Sequence, residues 1–436
     1  MITYKTKVTD IEIEYSQLEE LHKKKFKTKP QYIVACPARF ELIGHHLDYL
    51  QGETWCGAMN LYDTVGISLR DDHVISLMVQ TAKDDSIELE VKSDRLPFIL
   101  KSEDTPIVFK YMLQAINSVQ KFQPEKIGGF NMSAYLDIPY GAGLGSSAAL
   151  SIGIIQCLNA VNHLQLNNET IVELCKCTER ALGVACGNLD IVAGLSSRQN
   201  RVGLCNAATG SLTNLVALSP NDYEFLIIDF LQPHENIKSG LVELIAEHKE
   251  LEQLLAKKLD VPGSQESTSI LNDRILSGYN LDFLSYREKS LLCRANNEAR
   301  LVEAFKLQAN AHMLTPKSLG KLMNASYTNS QVLGNITSLQ AKFVKYANCL
   351  KGVLGIKAHG AGFGGSLLML IDSKKFKCES IEMIDQALMR LQDYAGMYVY
   401  KVQLVNGAIH QTYIPAEELE PKCGCYRCKS TANQTS

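Results

Sequence analysis

Between Phe130 and Ile138 the chain alternates strictly: Phe130, Met132, Ala134, Leu136 and Ile138 against Asn131, Ser133, Tyr135 and Asp137. A period of two predicts a strand with one buried face and one wetter face. The strand runs through Pro139 into a glycine-rich stretch. Beyond it, Ser146 to Val161 is rich in Ala, Ile and Leu with no breaker except Gly153, which predicts a buried helix. From Glu169 onward Ile171, Leu174, Cys175, Thr178 and Leu182 recur at helical spacing and predict a second helix with one apolar face. Two further apolar runs predict strands, Ile33-Val34-Ala35-Cys36 and Leu367-Leu368-Met369-Leu370-Ile371, the second preceded by a strand and a glycine turn. A strand-rich first half gives way to a helix-rich second half. The expected division is a domain over 1–215 and another over 216–436, with the polar run 260–269 as a linker or a loop within the second.

Composition narrows the function classes. The 436 residues are enough for two or three well-filled cores, and 46% hydrophobic with 21% charged residues is ordinary for a soluble globular protein. A net charge of −3 argues against nucleic-acid binding as the main activity. No apolar run is long enough to span a bilayer and the N-terminus turns polar at once, so no membrane association and a cytoplasmic location are expected. Most of the 13 cysteines sit singly in apolar stretches, as Cys36, Cys157, Cys205 and Cys349 do, which predicts buried free thiols. The tail bearing Cys423, Cys425 and Cys428 is expected to be loose or oxidisable; zinc binding there would need a fourth ligand from elsewhere.

Three motifs carry chemistry. In the strand-loop-helix from Asp137 to Leu150, Gly141, Gly143 and Gly145 let backbone N–H groups approach an anion closely. The helix that follows adds unpaired N–H groups and a positive dipole end, and Ser146 and Ser147 offer hydroxyls to phosphate or to Mg²⁺. The alternative is a tight turn whose glycines merely permit the bend. The second motif, Lys357-Ala358-His359-Gly360-Ala361-Gly362-Phe363-Gly364-Gly365-Ser366, has more glycine than a hairpin needs, which suggests close backbone approach to a ligand or to another segment. The third, Pro37-Ala38-Arg39-Phe40-Glu41-Leu42-Ile43-Gly44-His45-His46-Leu47-Asp48-Tyr49, clusters Arg39, His45, His46 and Asp48 at a strand end. Those are hydrogen-bonding types suited to a polyhydroxylated substrate. A metal reading of this cluster is disfavoured, because adjacent histidines point differently.

In this order and at these separations, PARFELIGHHLDYLQGE, PYGAGLGSSAAL and HGAGFGGS resemble the motifs of the GHMP kinase superfamily, within it the galactokinase branch. The segment Leu319-Gly320-Lys321-Leu322-Met323-Asn324-Ala325-Ser326 is similar to a galactokinase helix. The resemblance implies an α+β, two-domain GHMP kinase fold: an N-terminal α+β domain with a left-handed βαβ unit and a ferredoxin-like C-terminal domain, with ATP at their junction. It implies transfer of the γ-phosphoryl of ATP to a small alcohol, foremost the anomeric hydroxyl of galactose or a galactose-like sugar, by a monomer or homodimer. By the same resemblance Asp190 is the catalytic carboxylate that takes or orients the acceptor's proton. Arg39 beside it would neutralise charge on the transferring phosphoryl group. Gly141, Gly143, Leu144, Gly145, Ser146, Ser147 and Ala148 would cradle ATP. Ser146 or Ser147 with Glu179 would hold Mg²⁺. His45, His46 and Asp48 would bind the sugar.

The chain departs from the galactokinase pattern in ways that bear on the acceptor. His45 stands where the signature has a sugar-contacting glutamate, and Ile191 follows the catalytic aspartate where glutamine is usual. The interval from Glu179 to Asp190 is closer to that of mevalonate kinases. Histidine can hydrogen-bond a hydroxyl while neutral, or face a carboxylate if charged. Galactose is the favoured acceptor; a uronic acid, another sugar, a mevalonate-like acid, or a non-catalytic sugar and nucleotide sensor are the alternatives. Residues without a catalytic role are also conceivable: Asp190 as a helix cap, Glu179 as a solvated helix carboxylate.

Overall fold

The computed structural model describes residues 2–5, 11–82, 86–183, 187–218, 222–232, 234–259, 279–377, 379–391 and 394–412. The run 260–269 and the cysteine tail lie outside them. Among the described residues fourteen strands form two sheets. They are β1 Ile2–Lys5, β2 Tyr32–Ile43, β3 Glu53–Arg70, β4 Val74–Thr81, β5 Ser86–Lys92, β6 Gly129–Leu136, β7 Arg201–Asn206, β8 Ser211–Ala217, β9 Tyr223–Asp229, β10 Val353–Ala358, β11 Ser366–Asp372, β12 Met397–Val402, β13 Leu404–Val405 and β14 Ile409–Thr412.

The larger sheet runs β14-β2-β3-β6-β4-β5, with β7, β8 and β13 attached through β3. All its pairs are antiparallel except β4 with β6, whose connection passes through β5 and the helix Ile107–Phe122. The smaller sheet runs β1-β12-β9-β11-β10. The chain's ends cross over: β1 completes the smaller sheet, while β13 and β14 return to the larger one.

Helices Ser146–Val161 and Asn168–Ala181 form where the apolar pattern predicts them. The second starts on an Asn167 cap, whose side chain accepts the Thr170 N–H. The strand expected through Ile138 ends at Leu136, because the Ile138 amide turns to the carboxylate of Asp63. The continuous apolar run 367–371 has a topological cause. On β11 Leu368 and Leu370 face one core cluster while Leu367, Met369 and Ile371 face another, and β9 divides Phe225 and Ile227 from Leu226 and Ile228 in the same way. Both faces of the smaller sheet are buried, so neither reads as polar. Of the expected buried thiols, Cys36, Cys157 and Cys205 are buried. Cys349 is exposed, because it lies just past the C-terminus of helix Ser338–Ala347, where its thiol hydrogen-bonds the Lys345 carbonyl.

The helix Pro316–Leu333 lies against β10 through a glycine contact. A Cβ on Gly320 would sit 2.1 Å from the Leu354 carbonyl oxygen, and Asn324 accepts the Ile356 amide at 2.8 Å. That approach brings this helix, the helix Tyr286–Asn310 and the second glycine motif up to the end of β2, where the polar cluster begins. Among the described residues no helix is long and apolar enough to cross a membrane.

Candidate active site

The three motifs meet. Gly143 and Gly360 pack backbone against backbone, so that a Cβ on Gly360 would lie 2.6 Å from Gly143. Both have positive φ, 72° and 70°, and a side chain on either would part the loops. Ser366 donates to the Ala142 carbonyl at 2.7 Å, and the Arg39 amide donates to the Leu144 carbonyl at 2.8 Å. Buried Ala142 and Leu144 anchor the loop from within. Gly145, at the N-cap of helix Ser146–Val161, carries no side chain to close the first turn. The helix therefore presents its first-turn amides and dipole end at this junction.

Arg39 and Asp190 stand in front of that helix end. Arg39 Nε donates to Asp190 Oδ1 at 2.7 Å, and a Cβ on Gly145 would come within 3.2 Å of Asp190 Oδ2. Asp190 lies in the first turn of helix Leu189–Ser196, whose N-cap is Asn188, so Asp190 is not a cap. Asn188 instead donates to the Ala207 carbonyl at 2.6 Å. Arg39, Glu41, His46, Asp48, Tyr49, Gly187, Leu189, Asp190, Leu241, Gly360 and Ala361 line one cavity. Burial, and then the charges of Glu41 and Asp190, push the Asp48 carboxyl up to about 6.

The two serines diverge. Ser146 donates to Asp63 Oδ2 at 2.8 Å, whereas Ser147 donates to Glu179 Oε1 at 3.3 Å. Asp63 is fully buried in β3 and holds both ends of the loop, through the Ile138 amide and the Ser146 hydroxyl. Burial pushes its carboxyl up to about 7. Glu179 is also buried rather than solvated; burial, and then the charge of Asp190, push it up to about 8. Among the described residues no group of three or more His, Cys, Asp or Glu side chains could hold a metal ion. The hydroxyl of Ser147 and the carboxylate of Glu179 are all-oxygen donors, and one carboxylate beside phosphate oxygens and water is the kind of set Mg²⁺ takes.

His45 and His46 part company as well. His46 borders the cavity, its Nε2 2.9 Å from the side-chain amide of Asn335, which also donates to the Ala361 carbonyl at 3.1 Å. The ring of His45 is not part of the cavity wall. Its Nε2 lies 2.6 Å from the Gly360 carbonyl and its Nδ1 3.0 Å from the Ser330 hydroxyl. Burial, and then the charges of Lys357 and Arg294, hold its pKa well below the usual value, so the ring is neutral. Beneath the pair, buried Glu298 accepts the Gly44 and His45 amides at 3.2 and 3.0 Å, together with Ser326 and Asn329. Arg294 donates to the His45 and His46 carbonyls.

Several of these groups go unmarked in a reading for chemistry. Glu41, Lys357 and His359 lie inside the motifs but draw no role there; Lys357 Nζ donates to Glu41 Oε1 at 2.8 Å with both side chains buried. His359 Nε2 accepts the Glu41 amide at 3.1 Å, and the ring stands 3.3 Å from Arg39 Nη1. A charged residue two positions from Arg39 in an otherwise apolar strand is a usable signal for Glu41. Arg294 and Glu298, four apart on a helix, look in sequence like any solvated pair.

Residues 110–198 match the GHMP kinases N terminal domain, and residues 20–69 match the galactokinase galactose-binding signature. The galactokinase of Limosilactobacillus fermentum is 26% identical over 402 residues, covering 90% of this chain and 98% of that protein. The galactokinase of Streptococcus thermophilus is 27% identical over 405 residues, with the same coverage. Among solved structures, Lactococcus lactis galactokinase complexed with galactose superposes with a TM-score of 0.76 at 21% identity, covering 90% of this chain and 99% of that one. The Methanococcus jannaschii mevalonate kinase follows with a TM-score of 0.56 at 18% identity, over 86% of this chain and 98% of that one. The fold is that of the GHMP kinases, and the resemblance to their galactokinase branch holds.

Proposed function

We propose that this chain, which carries the GHMP kinase N-terminal domain and the galactokinase galactose-binding signature, is a sugar kinase that transfers the γ-phosphoryl group of ATP to galactose or a closely similar sugar. One observation carries the reading: the Arg39–Asp190 pair closes a cavity bounded by His46 and Asp48 and stands against the N-cap glycine of the phosphate-loop helix. Acceptor and donor positions are thereby adjacent.

In the reaction an acceptor hydroxyl oxygen forms a bond to the γ-phosphorus. The bond from that phosphorus to the β–γ bridging oxygen breaks, and its electron pair leaves on ADP. The hydroxyl proton passes to Asp190, which the Arg39 guanidinium orients. The same guanidinium neutralises charge on the transferring group. The loop over Gly141, Gly143, Leu144, Gly145, Ser146, Ser147 and Ala148 binds the phosphates through backbone amides. Ser147 and Glu179 are the residues that would hold Mg²⁺, which when bound would supply charge neutralisation for phosphoryl transfer. Ser146 is the loop's tie to Asp63.

A neutral sugar fits better than a uronic acid. His45, whose charge would add to that of Arg39 in favouring an acid, is neutral and turned onto Ser330 and Gly360. Glu41, Asp48 and Asp190 give the cavity three carboxyl groups against one guanidinium. A coupled ADP-release assay over galactose, galacturonate, other hexoses and mevalonate tests this. Turnover on galactose with little on galacturonate is expected; galacturonate as the better substrate, or no ATP consumption with any acceptor, would overturn it.

A further inference from the structure

We propose that Glu41 is a substrate-binding residue whose carboxylate accepts a hydrogen bond from a sugar hydroxyl, and that it sets the preference for a neutral polyol. The inference rests on the sugar-kinase reading above and adds to it a residue that neither the motifs nor the comparisons assign.

Geometry places Glu41 on the substrate side. Arg39 and Glu41 are two apart on β2, so their side chains leave the same face of the strand, and both line the cavity with Asp48 and Asp190. Lys357 takes Oε1 at 2.8 Å. An ionised carboxylate has about four acceptor sites over its two oxygens, so one lysine leaves Oε2 capacity for a ligand. Burial alone would raise the pKa of Glu41, but Lys357 and then Arg39 outweigh it and hold the group at about 2. Glu41 is thus an acceptor with no proton to give.

Its setting makes such a contact selective. Glu41 is only 3% exposed and its partner Lys357 is fully buried, so neither can swing out to water. A buried acceptor built for a hydroxyl discriminates strongly against an analogue that lacks it, because the acceptor is left unpaired. The side chain four positions further on cannot do this work: His45 has both ring nitrogens engaged by Ser330 and Gly360 and lies off the cavity wall. The competing role for Glu41 is purely structural, a buried pair joining β2 of the larger sheet to β10 of the smaller.

The test is Glu41→Gln, with kcat and KM measured on galactose and on its 2-, 3-, 4- and 6-deoxy analogues, and calorimetric galactose binding measured alongside. Glu41→Gln/Lys357→Met is the second variant, since it leaves no lone buried charge if the single change fails to fold. We expect kcat/KM for galactose to fall about 10- to 100-fold, the range for a hydrogen bond to a charged group. The penalty for one particular deoxygenation, present in the wild type, should shrink in both variants to that of a neutral hydrogen bond. Equal losses on every analogue, or an unchanged galactose affinity in folded variants, would assign Glu41 to the framework and overturn the proposal. Galactose binding that is sensitive to Glu41→Gln but without turnover would keep Glu41 and sink the kinase reading. Turnover insensitive to it would do the reverse, and neither binding nor turnover would sink both.

Discussion

Two ion pairs leave the same face of β2 two residues apart, and they differ in their access to water. Arg39–Asp190 joins at 2.7 Å with side chains 7% and 27% exposed; Lys357–Glu41 joins at 2.8 Å with 0% and 4%. The distances are equivalent, so distance does not separate their roles. The first pair ties β2 to a helix of the same half and leaves Asp190 reachable from the cavity. The second ties β2 to β10 across the two sheets and is sealed on the Lys357 side. The two serines of the glycine loop part as well, Ser146 to Asp63 and Ser147 to Glu179, although there both carboxylates are buried.

The largest effect should come from the open pair. Asp190→Asn keeps a hydrogen-bond partner for Arg39 but cannot take a proton, so kcat should fall by about 10²- to 10⁴-fold. Galactose and ATP binding should be little changed, as read by coupled assay and calorimetry. Loss of binding in place of turnover would mean that the open pair is framework too.

Breaking the sealed pair should act on stability first. Lys357→Met leaves Glu41 buried without its cation and should cost about 3–5 kcal/mol, while Glu41→Gln/Lys357→Met should be near neutral. Denaturant unfolding of the two variants checks this. If the double variant is as unstable as the single, the pair itself stabilises the fold and the distinction narrows.

The serines give a smaller contrast. Ser147→Ala should weaken Mg²⁺ binding by about tenfold or more, the size seen when metal-site partners are removed. Ser146→Ala should leave Mg²⁺ affinity alone and lower stability by about 1 kcal/mol through the lost Asp63 bond. Titration of Mg²⁺ against ATP turnover separates the two, and reversed effects would exchange their roles.

The smallest effect is in pH. Asp48 is raised from 3.8 to about 6, so between those values the folded protein binds more proton than the unfolded chain, and stability falls as pH rises through that window. Glu41 is lowered from 4.5 to about 2, so its contribution is present above 4.5 and lost as pH falls towards 2. Asp48→Asn should remove the Asp48 share of the decline between pH 4 and 6 and leave that of Asp63 and Glu179, and thermal unfolding across that range reads the difference. The same change should remove any rise in kcat/KM for galactose centred near pH 6.

Legibility in the sequence followed the length scale of the interaction. The strand before the loop was readable from its period of two, and the helix over 146–161 from an apolar run without a strong breaker, as befits a helix buried on nearly every side. The cradle was readable because glycine lets backbone amides come close and takes the positive φ at 141, 143 and 145 without steric cost. Asp190 and Arg39 were found through the resemblance, and the structure brings them within hydrogen-bond distance across 151 residues. Glu41 and Lys357 stood in plain view inside two motifs. Nothing local says that a carboxylate and an ammonium 316 residues apart will be buried together. Cys349 went the other way, since an apolar neighbourhood in sequence does not tell which side of a helix end faces water.

The sequence by itself determined the elements, the glycine loops and the set of polar groups available at the strand end, because local sterics and periodicity act over a few residues. Only the tertiary structure decided what each group faces. His45 and His46 are chemically identical neighbours, yet Ser330 and Gly360 take the first out of the cavity wall and Asn335 holds the second at it. Ser146 and Ser147 divide in the same way between Asp63 and Glu179. Those partners come from distant parts of the chain, and their burial, set by the packing of two sheets and the helices between them, fixes which charges water can reach.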